Sequence, residues 1–383
     1  MSIEGDLYRP LGLDRPKRRS KLSLPRASSL VLVLGAAGIV WGSTLTGLER
    51  NTDRRLVDIL SKAPADPAPQ MLETAALPKL AKAMPGVSGP TIISPGIGTG
   101  PVTFRVEDSQ SLRQSPSLAH MPDNALVEDS ESGPLPIRSA DGRRPFDVYS
   151  GAWSGKPTTR IAIVVGGVGI SQTGSMQAVE RLPAGVTLGF SPAGNSLDRW
   201  MQEARRGGHE LVLQVPLEPI GYPTVDPGAN TVTASAATAG DFSALYASLG
   251  KMTNYVGVMN YMGARFTGDK AAMEPFIAEL GRRGLMYLDD GSSARSLGKD
   301  TAYFAGVPAA TANVLLDQNQ DPAAIAGELD MLEKVARAQG SAIGVASAFE
   351  QSVGAIAAWI VAAQKRGIEI VPVSALAYDP EAR

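Results

Sequence analysis

The sequence predicts an α/β fold: a barrel of parallel strands with helices on its outside. Three observations carry this. From about Thr158 to Tyr378, short apolar runs alternate with amphipathic segments. The runs are apolar throughout rather than at every second residue, the pattern of parallel strands buried on both faces. The strand–helix units number about seven or eight, which favours a barrel over a short open sheet.

The expected strands are Ile161–Val165, Val186–Phe190, Glu210–Val215, Tyr255–Val258, Leu285–Leu288, Val314–Leu316, Ala342–Ala346 and Ile368–Pro372. The helical patterns between them include Leu197–Arg206, Phe242–Met252, Lys270–Arg283, Pro322–Gln339 and Ser352–Arg366. Asp321-Pro322 supplies an N-cap followed by proline at the first helical position. Gly207-Gly208, Gly284, Gly340 and Gly367 follow helices, where a residue with positive φ is wanted.

The region before this domain differs. No charged residue occurs between Ala27 and Leu48, and as a helix this run would be about 33 Å long, enough to span a bilayer. Arg15, Lys17, Arg18, Arg19, Lys21 and Arg26 precede it, so the positive-inside rule puts residues 1–26 in the cytoplasm and the folded part across the inner membrane. A cleaved signal peptide is the competing reading. The long basic leader and the lack of a clean A-x-A site favour an uncleaved anchor. Fourteen of the 28 prolines lie between Lys62 and Pro157, and Phe104 is the only aromatic between Asn51 and Arg144. Such a stretch buries too little apolar surface to offset its chain entropy, so 49–157 reads as a mostly disordered linker. The domain then occupies 158–378, and 379–383 is a short tail.

Composition excludes several functions. A net charge of −2 argues against a nucleic-acid partner held by general electrostatics. There is no cysteine, hence no disulfide and no thiol chemistry, and with only two histidines, His120 and His209, a histidine-rich metal site is close to excluded. Gly166-Gly167-Val168-Gly169 lacks both the dinucleotide spacing and the P-loop lysine, so it reads as a tight turn. His209, alone at a helix-to-strand junction, reads as structural. Ser292 and Ser293 have no histidine in sequence reach, which makes a hydrolase triad improbable.

Ligands of such barrels meet the loops at the C-terminal ends of the strands. Those loops and their flanks read RIAIVVGGVG, GHELVLQVPLEPIGYPTVDPG, GVMNYMGARFTGDKAAM, RRGLMYLDDGSS and GIEIVPVSAL. On these blocks the chain, from about Arg160 to Leu376, resembles the divergent polysaccharide deacetylases, relatives of NodB-type carbohydrate esterases. The resemblance implies a deformed barrel. In members with the full pattern it also implies a divalent-metal site that removes acetyl groups from amino sugars. Here the family's leading aspartate pair is Gly166 and Gly167. Its histidine in the L-H-x-P block is Gln214, that of N-H-M-G is Tyr261, and the late one is Ser347. Metal-dependent hydrolysis needs a cation to polarise the carbonyl and activate water, so these departures predict no bound metal.

The remaining polar groups give the candidates. Asp289, Asp290 and Glu218 are the catalytic candidates, and a zinc-like ion is expected only if they form an active hydrolase. Asp289 and Asp290 end a strand, so they start on opposite faces. Gln214, Asn260, Tyr261, Arg265, Asp289 and Tyr222 are the ligand-binding candidates, and Asp226 and Arg295 could join them. Aromatic faces beside polar groups suit sugar rings, which adds Tyr287 and Phe266. An inherited Asp289–Arg265 ion pair is the structural reading of the same residues. The favoured expectation is a membrane-anchored envelope protein that has lost metal chemistry and binds a peptidoglycan-type glycan or an envelope partner. A deacetylase or carboxylate-driven glycosidase is the alternative.

Overall fold

A computed structural model describes residues 112–382. The expected cytoplasmic tail, the 27–48 anchor and the linker up to residue 111 lie outside the described residues. Among the described residues no helix is long and apolar enough to cross a membrane.

Nine strands form one sheet: β3 (Thr159–Val168), β4 (Thr187–Phe190), β5 (Leu211–Leu217), β6 (Gly257–Met262), β7 (Met286–Asp289), β8 (Ala309–Thr311), β9 (Val314–Leu315), β10 (Ser341–Ser347) and β11 (Ile368–Ile370). The order is β8-β7-β6-β5-β4-β3-β10-β9, all neighbours parallel, with β11 beside the start of β3. The edge strands β8 and β9 are consecutive in the chain, with only Ala312 and Asn313 between them. One extended segment therefore pairs with β7 at one edge and β10 at the other, and the sheet curls round to meet itself. The turnover is held locally. Ala312 N–H donates to the Asp289 carbonyl at 2.9 Å, and Asn313 N–H to that of Ile343 at 2.7 Å. The Asn313 amide oxygen accepts from Ile343 N–H at 2.8 Å.

Strand alternation explains why the runs are apolar throughout. Ala162, Val164, Val212, Met286, Leu288, Ile343 and Val345 pack together inside the barrel. Their neighbours Ile161, Ile163, Val165, Leu211, Leu213 and Tyr287 pack outward against helices. The outer helices include α2 (Gln172–Arg181), α3 (Leu197–Arg206), α6 (Lys270–Arg282), α7 (Gly298–Ala305), α8 (Pro322–Gln339) and α9 (Glu350–Lys365), with α4 (Ala234–Thr238) and α5 (Ser243–Leu249) shorter. The side chain of Asp321 accepts from Ala323 N–H and Ala324 N–H, as the Asp-Pro signal implied.

Residues 112–157 correct the linker boundary. They hold an antiparallel hairpin, β1 (Val127–Ser130) with β2 (Gly133–Pro136), and a helical turn, α1 (Pro145–Val148). Leu126, Phe146, Val148 and Tyr149 belong to the same buried cluster as the barrel's inward residues, so this segment plugs the N-terminal end. Prolines here punctuate ordered structure: Pro145 opens α1, and Pro134 and Pro136 stand in the second hairpin strand. The short tail is likewise tied down. Asp379 pairs with the buried Arg144 at 2.7 Å.

Candidate functional site at the barrel mouth

The C-terminal ends of the strands form the mouth, and its floor is Gln214. This residue shares the inward face with Val212 and lies across the glycines that end β3. Its amide oxygen accepts from Gly167 N–H at 2.5 Å. A Cβ at position 166 would fall 2.6 Å from the Gln214 amide nitrogen. Gly189 sits beneath, its own would-be Cβ 3.1 Å from Gly166 Cα and 3.4 Å from the Met259 methyl. Gly167 has φ +79°, a conformation that L side chains rarely adopt. The first position of the expected aspartate pair is thus filled by a neighbouring amide, while the space over Gly167 is open. The other matched positions offer a half-exposed phenol (Tyr261) and a hydroxyl (Ser347). Among the described residues no three Asp, Glu or His side chains stand close enough to share an ion. This donor set does not fit a divalent cation.

The two adjacent aspartates part as strand alternation requires. Asp289 is buried on the helix side, accepting from Gly291 N–H at 3.0 Å and from the Ser296 hydroxyl. It makes no pair with Arg265, contrary to the expected ion pair. Arg265 instead reaches Glu218 at 2.9 Å, whose second oxygen accepts from Ala234 N–H at 2.7 Å. Glu218 therefore staples the loops after β5 and β6 together. Asn260 is a buried brace: its oxygen accepts from Tyr287 O–H at 3.2 Å and Asp290 N–H at 2.9 Å, and its NH₂ donates to the Met262 carbonyl at 2.9 Å. Of the six ligand-binding candidates, Gln214, Asn260, Asp289 and Arg265 are thus engaged by the scaffold, as are Asp289 and Glu218 among the catalytic three.

Asp290 is different. It follows Leu288 on the inward face, and one carboxylate oxygen takes Ser292 N–H at 2.9 Å and the Ser292 hydroxyl at 2.7 Å. Partial burial lifts its carboxyl above the ordinary range, against those hydrogen bonds. No cation pairs with it among the described residues.

The aromatic set shrinks. Tyr287 and Phe266 are fully buried, each edge-to-face with Phe276 at 6.2 and 5.3 Å, so they are core. Tyr261 and Tyr222 remain at the mouth, 44% and 36% exposed. Met262, beside Tyr261, is left-handed at φ +57° and also exposed, a strained placement of an apolar side chain. Asp226 is exposed and caps its own turn at Gly228 N–H, and Arg295 is exposed. Sequence reasoning missed Asp317, which ends the closing segment. Its carboxylate accepts from Ser347 N–H and the Ser352 hydroxyl, both at 2.7 Å. The available signal was an acid directly after the apolar run Val314–Leu316.

His209 lies at the opposite end of the barrel, 1% exposed, its ring nitrogens facing the Val186 and Val179 carbonyls at 2.9 and 3.4 Å. Burial holds its imidazole below the usual range. It is structural, as its isolation implied.

Fold and site define a curled sheet of parallel strands with helices outside, in the manner of a deformed (β/α) barrel, and among the described residues no three Asp, Glu or His side chains cluster at its mouth. The chain belongs to the divergent polysaccharide deacetylase family, whose model matches residues 163–377. It is similar to an uncharacterized protein of Haemophilus influenzae, 24% identical over 187 residues, which are 49% of this chain and 66% of that protein. It is also similar to the uncharacterized protein YibQ of Escherichia coli K12, 22% identical over 186 residues, 49% of this chain and 57% of YibQ. The chain thus spans under two thirds of the length of these curated relatives. The crystal structure of uncharacterized protein ATU2773 from Agrobacterium tumefaciens C58 is 53% identical, with a TM-score of 0.62 over 64% of this chain and 99% of that one.

Proposed function

We propose that the chain is a membrane-anchored envelope protein whose deacetylase-like barrel binds a peptidoglycan-type glycan at its mouth without hydrolysing it. The observation that carries this is Gln214, whose amide fills the space over Gly166 and bonds Gly167 N–H. An amide held there neither charges a metal site nor activates water, and no cofactor is required. What remains at the mouth suits a sugar: the exposed faces of Tyr261 and Tyr222, the Asp290 carboxyl and the Ser347 hydroxyl. The anchor rests on the uncharged 27–48 run and its basic flank.

A hydrolase reading draws on Asp290 alone. Glycoside hydrolysis ordinarily uses two carboxyl groups. Asp289 and Glu218 are engaged with backbone N–H groups, Ser296 and Arg265.

Calorimetric titration of the full chain with chitotetraose tests the proposal. Binding is expected, with Tyr261→Ala and Asp290→Asn each weakening it by about tenfold, equivalent to about 1.4 kcal/mol, and no acetate released. Affinity unchanged in both variants, or acetate release that Asp290→Asn abolishes, would contradict it.

A further inference from the structure

The barrel closes at a seam, and the seam leaves a groove. Between Thr311 and Val314 the closing segment leaves β7 and joins β10, and at this crossing the Asn313 side chain replaces a backbone acceptor for Ile343 N–H. Beside it is a cleft of about 440 Å³, within the roughly 300–1,000 Å³ range of small-ligand sites. Its wall includes Gly291, the residue after Asp290. Leu315 and Met331 line it with apolar surface, and Gln318, Asn319 and Glu328 bring polar ends.

These polar groups are exposed and little used by the fold. The Asn319 oxygen accepts from Asp321 N–H at 3.0 Å, which leaves its NH₂ group available. Gln318 and Glu328 have no hydrogen-bond or ion-pair partner among the described residues. Neutral amides beside a thioether and a leucine match hydroxyl and acetamido groups: the amides exchange hydrogen bonds and the apolar wall takes methyl and ring C–H surface. The lining contains no cation that would favour an anionic ligand.

We infer that the seam groove is a second subsite for the same glycan, holding further uncharged N-acetylated sugar units of a chain whose end lies over Asp290. This rests on the mouth's glycan reading and adds a length requirement: the ligand is an oligomer that extends beyond the mouth.

The test compares chitobiose with chitohexaose by calorimetry on the full chain, wild type and the Gln318→Ala/Asn319→Ala double variant. Both substitutions are at exposed positions, and an unchanged unfolding midpoint verifies the fold. Chitohexaose is expected to bind about tenfold more tightly than chitobiose. The double variant should remove that advantage and leave chitobiose affinity unchanged. Equal affinity for the two lengths, or a length advantage that survives the double variant, would overturn the groove while the mouth reading stands. Failure of both sugars to bind would overturn the mouth reading and the groove with it.

Discussion

The two ends of this barrel use similar residues in opposite ways. At the N-terminal end the buried charges Glu210 and Arg205 are hydrogen-bonded on several sides. Glu210, fully buried, accepts from Gly151 N–H at 2.8 Å, the Thr187 hydroxyl at 3.2 Å, Ser374 N–H at 3.0 Å and the Ser374 hydroxyl. Arg205, also buried, donates to the Tyr149 and His209 carbonyls at 2.8 and 3.0 Å. Phe146, Val148 and Tyr149 seal the opening. At the mouth, by contrast, Asp290 is bonded by Ser292 of its own turn and pairs with no cation among the described residues, Ile220 is 71% exposed, and Met262 holds a left-handed backbone. Buried polar groups are normally satisfied, and exposed apolar clusters on monomers mark interaction surfaces. The closed end holds the fold together, and the open end leaves polar and apolar side chains exposed, the feature on which the proposed glycan site rests.

The contrast breaks most easily at the closed end. Glu210→Ala would strand four donors around one buried point and should cost about 3 kcal/mol or more, read as the shift of the urea unfolding midpoint. A loss below about 1 kcal/mol would mean that this end is not the stabilising one.

At the mouth, Gly166→Ala should cost about 1–3 kcal/mol by overpacking against Gln214. With Gln214→Ala already in place the cost should fall, a coupling that a double-mutant cycle measures. Additive costs would mean that the amide does not fill the site. The pH response separates the ends further. Burial depresses the imidazole of His209 in the folded state, so protons bind the unfolded chain preferentially. Stability should be fully present above the ordinary value of 6.5 and fall as pH drops through it, and His209→Gln should flatten that slope. Asp290 gives the smallest effect and the opposite sense. Its carboxyl is raised, so its ionised form opposes folding at neutral pH. Asp290→Asn should slightly raise the melting temperature at pH 7, with the gain vanishing below the ordinary carboxylate range, while weakening glycan binding.

The barrel was legible where two-sided burial left its mark. Leu197–Arg206 and Pro322–Gln339 match their helices residue for residue, and the eight expected strands are present with ends shifted by a few residues. Ala309–Thr311 was not legible because three residues of AAT carry no apolar run, and their pairing with β7 depends on a distant partner. The hairpin Val127–Pro136 was hidden for a related reason. Its first strand, VEDS, exposes nearly every side chain, and its order comes from backbone pairing and from the plug behind it. At the site, the missing metal ligands could be read from residue types alone. Which acid faces inward could be narrowed only to one of Asp289 and Asp290. That Glu218 rather than Asp289 holds Arg265 was beyond reach, because it depends on where two loops meet.

The direct test of the central claim is metal content. The full chain, purified and dialysed without chelator, should carry no stoichiometric divalent ion by elemental analysis, and added zinc should leave its unfolding midpoint unchanged. One tightly held ion per chain after dialysis, lost together with stability on chelation, would contradict an account in which Gln214 occupies the place of the metal ligands.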